Sequence, residues 1–91
     1  MYFEIVKAEY LDSYKVQLTF KNGRSGIADL ASYPDPTNVF IKFLDLSYFM
    51  DFKIEFGTLI WGDGELDIAP EHLYQITTGE EVVFNLEQNA G

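Results

Sequence analysis

Cysteine is absent from the 91 residues, and with it go disulfides, thiolate nucleophiles, zinc–thiolate sites and iron–sulfur ligation. Histidine occurs once, at His72, so no second imidazole can share a transition metal with it. No 18-residue apolar stretch occurs, and no basic segment followed by an apolar run opens the chain, which predicts neither membrane spanning nor secretion and makes a cytoplasmic location the expectation. Lys and Arg stop at Lys53. Up to Gly62 eight acids face six bases, whereas from Asp63 onward there are seven acids and no base, giving most of the net charge of −9. Phosphate backbones are bound through clustered Lys and Arg, so direct nucleic-acid binding is not expected of this chain.

What is present is the material of a folded domain. Hydrophobic residues make up 47% and aromatic residues 16%, with eight Phe and six Tyr, which is far from a disordered composition. The length predicts one domain over residues 1–91, with a single core and no room for a deep enclosed cleft. A domain this small buries a modest share of its surface, so aromatic area is left over for a homodimer interface.

The first thirty residues read as three strands. Phe3 to Tyr10 is rich in apolar residues. Lys15 to Lys21 then alternates strictly, with Val16, Leu18 and Phe20 to one side and Lys15, Gln17, Thr19 and Lys21 to the other, the period of a half-buried antiparallel strand. Asn22-Gly23 predicts a tight hairpin with positive φ at both residues, leading to a third strand over Gly26 to Leu30. Tyr33-Pro34-Asp35-Pro36 cannot be regular, because each proline lacks a donor and biases its predecessor to extended geometry. From Thr37 the spacing of Val39, Phe40, Phe43 and Leu44 is helical, with Thr37 or Asn38 to cap, and Asp45 can cap a second short turn holding Leu46, Phe49 and Met50. Lys53 to Phe56 and Thr58 to Trp61 predict two more strands joined at Gly57.

The densest stretch is "IWGDGELDIAPEHLY", residues 60 to 74. Gly62-Asp63-Gly64 is turn chemistry, Pro70 suits the first position of a helix, and Leu73, Tyr74 and Ile76 give that helix an apolar side. Glu81 to Leu86 predicts a last strand and 87–91 a frayed tail. The expectation is a two-layer α+β domain in the order β-β-β-α-β-β-α, with about five mainly antiparallel strands in one sheet and short helices on one face.

The acids of this stretch invite a catalytic or metal reading, and the spacing rejects each one. Asp63, Glu65 and Asp67 are two apart, but a glycosidase needs two carboxylates about 5 to 10 Å apart across a sugar, with a cleft to hold it. An EF-hand starting at Asp63 would place Ile68 where glycine belongs and Tyr74 where the bidentate Glu belongs. Ser13, Ser25, Ser32 and Ser47 lack any nucleophile-elbow context. Gly62-x-Gly64 lacks the third glycine of a dinucleotide loop and no Walker pattern occurs, so no cofactor, metal or catalytic residue is assigned. Trp61, Gly64, Asp67, Pro70, Leu73 and Tyr74 read instead as architecture: a buried ring, a turn, an acceptor ahead of the helix, the helix start and its packing face. Asp63, Glu65 and Glu71 remain as the acids available to a partner.

"VQLTFKNGRSGIADL", "FLDLSYFMDFKIEFGTLIW" and then Gly64, Asp67, Pro70, Leu73 and Tyr74, in that order, resemble the small bacterial family named domain of unknown function 2442. Its pattern is a strand ending in Phe-x-Asp/Asn-Gly, a strand ending in Asp-Leu, a Leu-x-Asp…Phe segment, and a closing Trp-x-x-Gly-x-Asp-Ile/Leu-x-Pro-x-x-Leu-Tyr. The likeness covers residues 3–76, and the chain departs from it at Gly62, where proline commonly follows the tryptophan, and at Glu65-Leu66. The resemblance implies an α+β domain found alone or ahead of a helix-turn-helix segment, often encoded beside another small protein in toxin–antitoxin-like gene pairs, with no catalytic residues to carry over. Joined to the acidic second half, it predicts a non-enzymatic, antitoxin-like interaction module for a small basic protein. The rival expectation is a ligand-binding or enzymatic domain with its cleft at a homodimer seam around Trp61 and Asp67.

Overall fold

Alternation of apolar and polar side chains builds the first sheet. A computed structural model describes residues 3–79 and shows three antiparallel strands in sequence order: β1 (Ile5–Asp12), β2 (Lys15–Phe20) and β3 (Ser25–Asp29). Val16, Leu18 and Phe20 are buried while Lys15 and Gln17 face water, as the period-two pattern requires. The hairpin between β2 and β3 is present with a different turn. Only Gly23 takes a positive φ, of 92°, and the loop is closed by Gly23 N donating to Phe20 O at 2.9 Å and by Asn22 Oδ1 accepting from Arg24 N at 2.9 Å. Asn22 thus acts through its side chain, folding a longer loop than the expected two-residue turn.

The proline segment carries neither helix nor strand between β3 and a 3-10 helix over Val39–Leu44. Asn38 caps that helix by accepting from Phe40 N at 2.8 Å. Asp45 then takes an extended backbone and accepts from Ser47 N at 3.0 Å, which ends the first helix and starts α1 (Leu46–Met50). A short polar side chain competing for backbone donors is what splits one helical stripe into two short pieces.

The second sheet corrects the expected single five-stranded one. β4 (Lys53–Glu55), β5 (Thr58–Trp61) and β6 (Leu66–Ile68) form a separate three-stranded antiparallel meander, and α2 (Pro70–Thr78) follows. β6 occupies Leu66–Ile68, a stretch for which the sequence reading predicts no strand. Some twenty residues of loop and helix separate β3 from β4, and between the sheets Ile5 N donates to Gly57 O at 2.8 Å. The expected last strand over Glu81 to Leu86 and the tail over 87–91 lie outside the described residues.

Both sheets and all the helices share one core. Trp61, Phe43, Phe49, Leu59 and Leu73 are essentially inaccessible, packed with Val16, Leu18, Phe20 and Leu30 of the first sheet side. Pro70 opens α2 as expected, but Ala69 is the N-cap and no side chain caps the helix; Asp67 lies within β6 rather than at the helix start. At the other end, Gly79 closes α2 in the left-handed conformation at φ 77°. Among the described residues no helix is long and apolar enough to cross a membrane.

α2 comes unusually close to β3. A Cβ built on Gly26 would lie 3.0 Å from Thr77 Cγ2 and 3.1 Å from the Thr77 carbonyl oxygen, so any side chain there would push the helix back by a few tenths of an ångström. The same approach buries Thr77 Oγ1 with no hydrogen-bond partner among the described residues. Thr77→Val removes that stranded hydroxyl at nearly constant shape, and is expected to leave stability unchanged or raise it by up to about 1 kcal/mol, read as the urea midpoint. A loss of more than about 1 kcal/mol would mean that the hydroxyl has a partner after all.

Candidate functional site

Three consecutive residues with positive φ, Gly62 at 58°, Asp63 at 54° and Gly64 at 92°, make the turn between β5 and β6. Gly64 N donates to Trp61 O at 3.2 Å and Glu65 N to Gly62 O at 3.0 Å, so the turn curls back and aims the Glu65 side chain across Gly62. There Glu65 Oε1 accepts from Lys42 Nζ at 2.9 Å and from the Tyr48 hydroxyl at 2.7 Å. One carboxylate oxygen therefore joins the 3-10 helix, α1 and the β5–β6 turn. The Lys42 ammonium also stands 5.7 Å from the centre of the Tyr48 ring.

Electrostatics follow from these contacts. The Lys42 hydrogen bond, and then the Tyr48 one, hold the Glu65 carboxyl below the usual carboxylate range. Desolvation, followed by the hydrogen bond to Glu65 and its charge, pushes the Tyr48 phenol up to about 12. A proton held more tightly in the folded state stabilises it below the free phenol's pKa of about 10 and ceases to do so as pH rises through about 12. Glu65→Gln removes the charge and the charged acceptor, so Tyr48 is expected to titrate at lower pH in that variant. The check is phenolate absorbance against pH, with a Tyr48→Phe chain subtracted to isolate this tyrosine. An unmoved Tyr48 titration would show that Glu65 does not act on it.

Beside this cluster the surface is apolar. Val39, Ile41 and Leu44 of the 3-10 helix are 65%, 47% and 54% exposed. Val39, Ile41, Lys42, Glu65 and Leu66 line an open hollow of about 320 Å³, and a smaller one of about 220 Å³ adjoins it over Lys42, Asp45 and Tyr48. Neither is an enclosed cleft. Among the described residues no group of three or more His, Asp or Glu side chains is placed to hold a metal ion.

The residues singled out from sequence separate into groups. Trp61 is buried, its indole nitrogen donating to Phe49 O at 2.8 Å, with ring centroids 4.7 Å from Phe43 and 5.9 Å from Phe49. Leu73 and Tyr74 are buried on α2, and the Tyr74 hydroxyl accepts from Asn22 Nδ2 at 3.1 Å, tying the β2–β3 hairpin to the helix. Trp61 pairs with Leu66 across the sheet and Asp67 pairs with Ile60, so Trp61 and Asp67 point to opposite faces. They do not line one cleft within the chain. Of the acids offered to a partner, Asp63 stands in the turn before β6 and Glu71 in α2 beyond it, while Glu65 is engaged by Lys42 and Tyr48. Lys42 and Tyr48 were not visible as site residues, since they lie 23 and 17 positions from Glu65. Gly62 was the one local signal, because a side chain there would collide with Tyr48 and Glu65.

The family described as protein of unknown function (DUF2442) matches the chain over residues 5–79. The chain belongs to that family. The match spans β1 to the glycine that closes α2, so the turn, the cluster around Glu65 and the exposed 3-10 helix all lie within the family domain. No curated protein and no solved structure matches the chain.

Proposed function

We propose that this domain is a non-enzymatic protein-interaction module whose partner is a small basic protein, in the manner of the antitoxin-like member of a gene pair. The observation that carries the reading is the charge distribution: seven acids and no base follow Gly62. Asp63 and Asp67 are exposed, and among the described residues neither enters an ion pair, so their charge is available to a basic surface. Glu65 contributes less, because Lys42 already neutralises it. The open hollows and the apolar rim of Val39, Ile41 and Leu44 add contact area of the kind that interfaces use, without the enclosure that a reaction needs.

Co-expression with the product of the adjacent gene, followed by size-exclusion chromatography, tests the reading. Co-elution at low salt that weakens as salt rises is expected, with Asp63→Lys and Glu71→Lys weakening it further. Separate elution at low salt would overturn it.

A further inference from the structure

Asn22-Gly23, at the tip of the β2–β3 hairpin, is a chemically reactive pair as well as a turn. The side-chain carbonyl carbon of an asparagine is open to attack by the backbone nitrogen of the next residue, and glycine, with no Cβ, leaves that nitrogen unshielded. Attack closes a five-membered succinimide ring. The bond from Gly23 N to Asn22 Cγ forms, the bond from Cγ to Nδ2 breaks, and the backbone hydrogen leaves with Nδ2 as ammonia. Water then opens the ring at one carbonyl or the other, giving aspartate or isoaspartate at position 22. Asn38, Asn85 and Asn89 precede Val39, Leu86 and Ala90, whose side chains crowd the nitrogen.

In the folded chain the reacting groups are engaged elsewhere. Gly23 N donates its hydrogen to Phe20 O at 2.9 Å, and that hydrogen must be lost before the nitrogen can attack. Asn22 Oδ1 accepts from Arg24 N at 2.9 Å, which fixes the direction of the side chain. The leaving nitrogen, Nδ2, donates to the Tyr74 hydroxyl at 3.1 Å. Of these three bonds only the last comes from outside the hairpin. Tyr74 stands 52 positions away on α2, buried, with its ring 5.0 Å from those of Phe3 and Phe20. The tip is thus held closed by the packing of the hairpin on the helix, at the same face where Gly26 meets Thr77.

We propose that Asn22 is a self-modification site, with water as its co-substrate, whose reaction is gated by the Tyr74 contact. While the hairpin rests on α2 the amide persists; when the hairpin lifts, Asn22 is converted to aspartate and isoaspartate. Either product replaces the Nδ2 donor with a carboxylate oxygen and adds negative charge to a chain already at −9. Isoaspartate also routes the backbone through an extra carbon ahead of Gly23, which spoils the turn that Gly23 N closes onto Phe20 O. An opening of the hairpin is therefore recorded in the covalent structure and is not reversed when the hairpin closes again.

Peptide mapping by mass, on the full chain held at neutral pH with and without unfolding urea, tests the proposal. Loss of the amide at Asn22 is scored by its change in mass, which sets it apart from isomerisation at Asp63-Gly64. The unfolded chain is expected to lose the amide at least about tenfold faster than the folded one, because the folded rate follows the population of the opened hairpin. Tyr74→Phe keeps the ring and removes the acceptor, and is expected to speed the reaction several-fold under folding conditions. Trp61→Phe loosens the core away from the hairpin and is expected to leave the rate near that of the wild type. Equal rates in the folded and unfolded wild-type chain would overturn the proposal. So would a Tyr74→Phe chain that reacts no faster than the wild type, or no faster than Trp61→Phe.

Discussion

Trp61→Ala is expected to lower the unfolding free energy by about 3–5 kcal/mol, the cost of emptying a buried aromatic site that cannot collapse. The site cannot collapse because its walls come from different elements. Phe43 from the 3-10 helix lies 4.7 Å from the indole, Phe49 from α1 lies 5.9 Å away, and Phe52 lies edge-on at 6.4 Å. The substitution also strands the Phe49 carbonyl, which loses the indole N–H that reached it at 2.8 Å. For a domain of this size each kcal/mol moves the melting midpoint by roughly 4–8 °C, so the variant is expected to melt far below the wild type or to be unfolded at ambient temperature. A chemical-denaturation midpoint equal to that of the wild type would show that the ring is not what joins the helical layer to the second sheet. Trp61→Phe is expected to recover part of the loss, since it refills volume but leaves the carbonyl unpaired.

The same residue shows how much of the fold was legible in the sequence. Trp61 ends a run of apolar, β-branched residues and is followed by a glycine, which places it at a strand end without further help. The strict alternation from Lys15 to Lys21, the cap at Asp45 and a cap at Thr37 or Asn38, of which the structure uses Asn38, were equally readable, because each depends on neighbours a few positions away. β6 escaped notice because Leu66-Asp67-Ile68 offers a single alternation amid turn residues and acids, and becomes a strand only by pairing with β5. The division into two sheets was hidden for a related reason: which strands are neighbours is decided by tertiary packing, and local periodicity carries no record of it.

The candidate site divides along the same line. Glu65 was singled out for its charge, but its environment depends on Lys42 and Tyr48, which arrive from another layer and convert a supposedly free acid into a satisfied one. In the sequence Phe56 reads as the end of a strand. Only the backbone angle and the complete exposure of the ring mark it as a residue held against its preference.

Gly62→Pro is the second change with a large expected effect, and it is informative because proline commonly follows the tryptophan in the family pattern. Proline fixes φ near −65°, whereas Gly62 stands at 58° and begins a run of three positive φ values. The substitution cannot be absorbed by a side-chain shift. Any Cβ at this position would lie 2.7 Å from the Tyr48 hydroxyl and 2.8 Å from Glu65 Cγ, so the ring displaces the carboxylate that joins Lys42 and Tyr48 as well as opening the turn. Backbone strain and the lost contacts together predict a loss of about 2–4 kcal/mol, measured as the denaturant midpoint. Gly62→Ala, which keeps φ free but meets the same atoms, is expected to fall between wild type and proline. Tyr48 supplies the accompanying signature: once Glu65 is pushed away, its phenol is expected to titrate below the value of about 12 that the intact cluster maintains. A proline variant with wild-type stability and an unmoved Tyr48 titration would mean that residue 62 can carry a negative φ without disturbing Glu65. In that case the turn, and not the glycine, would be what holds the three elements together.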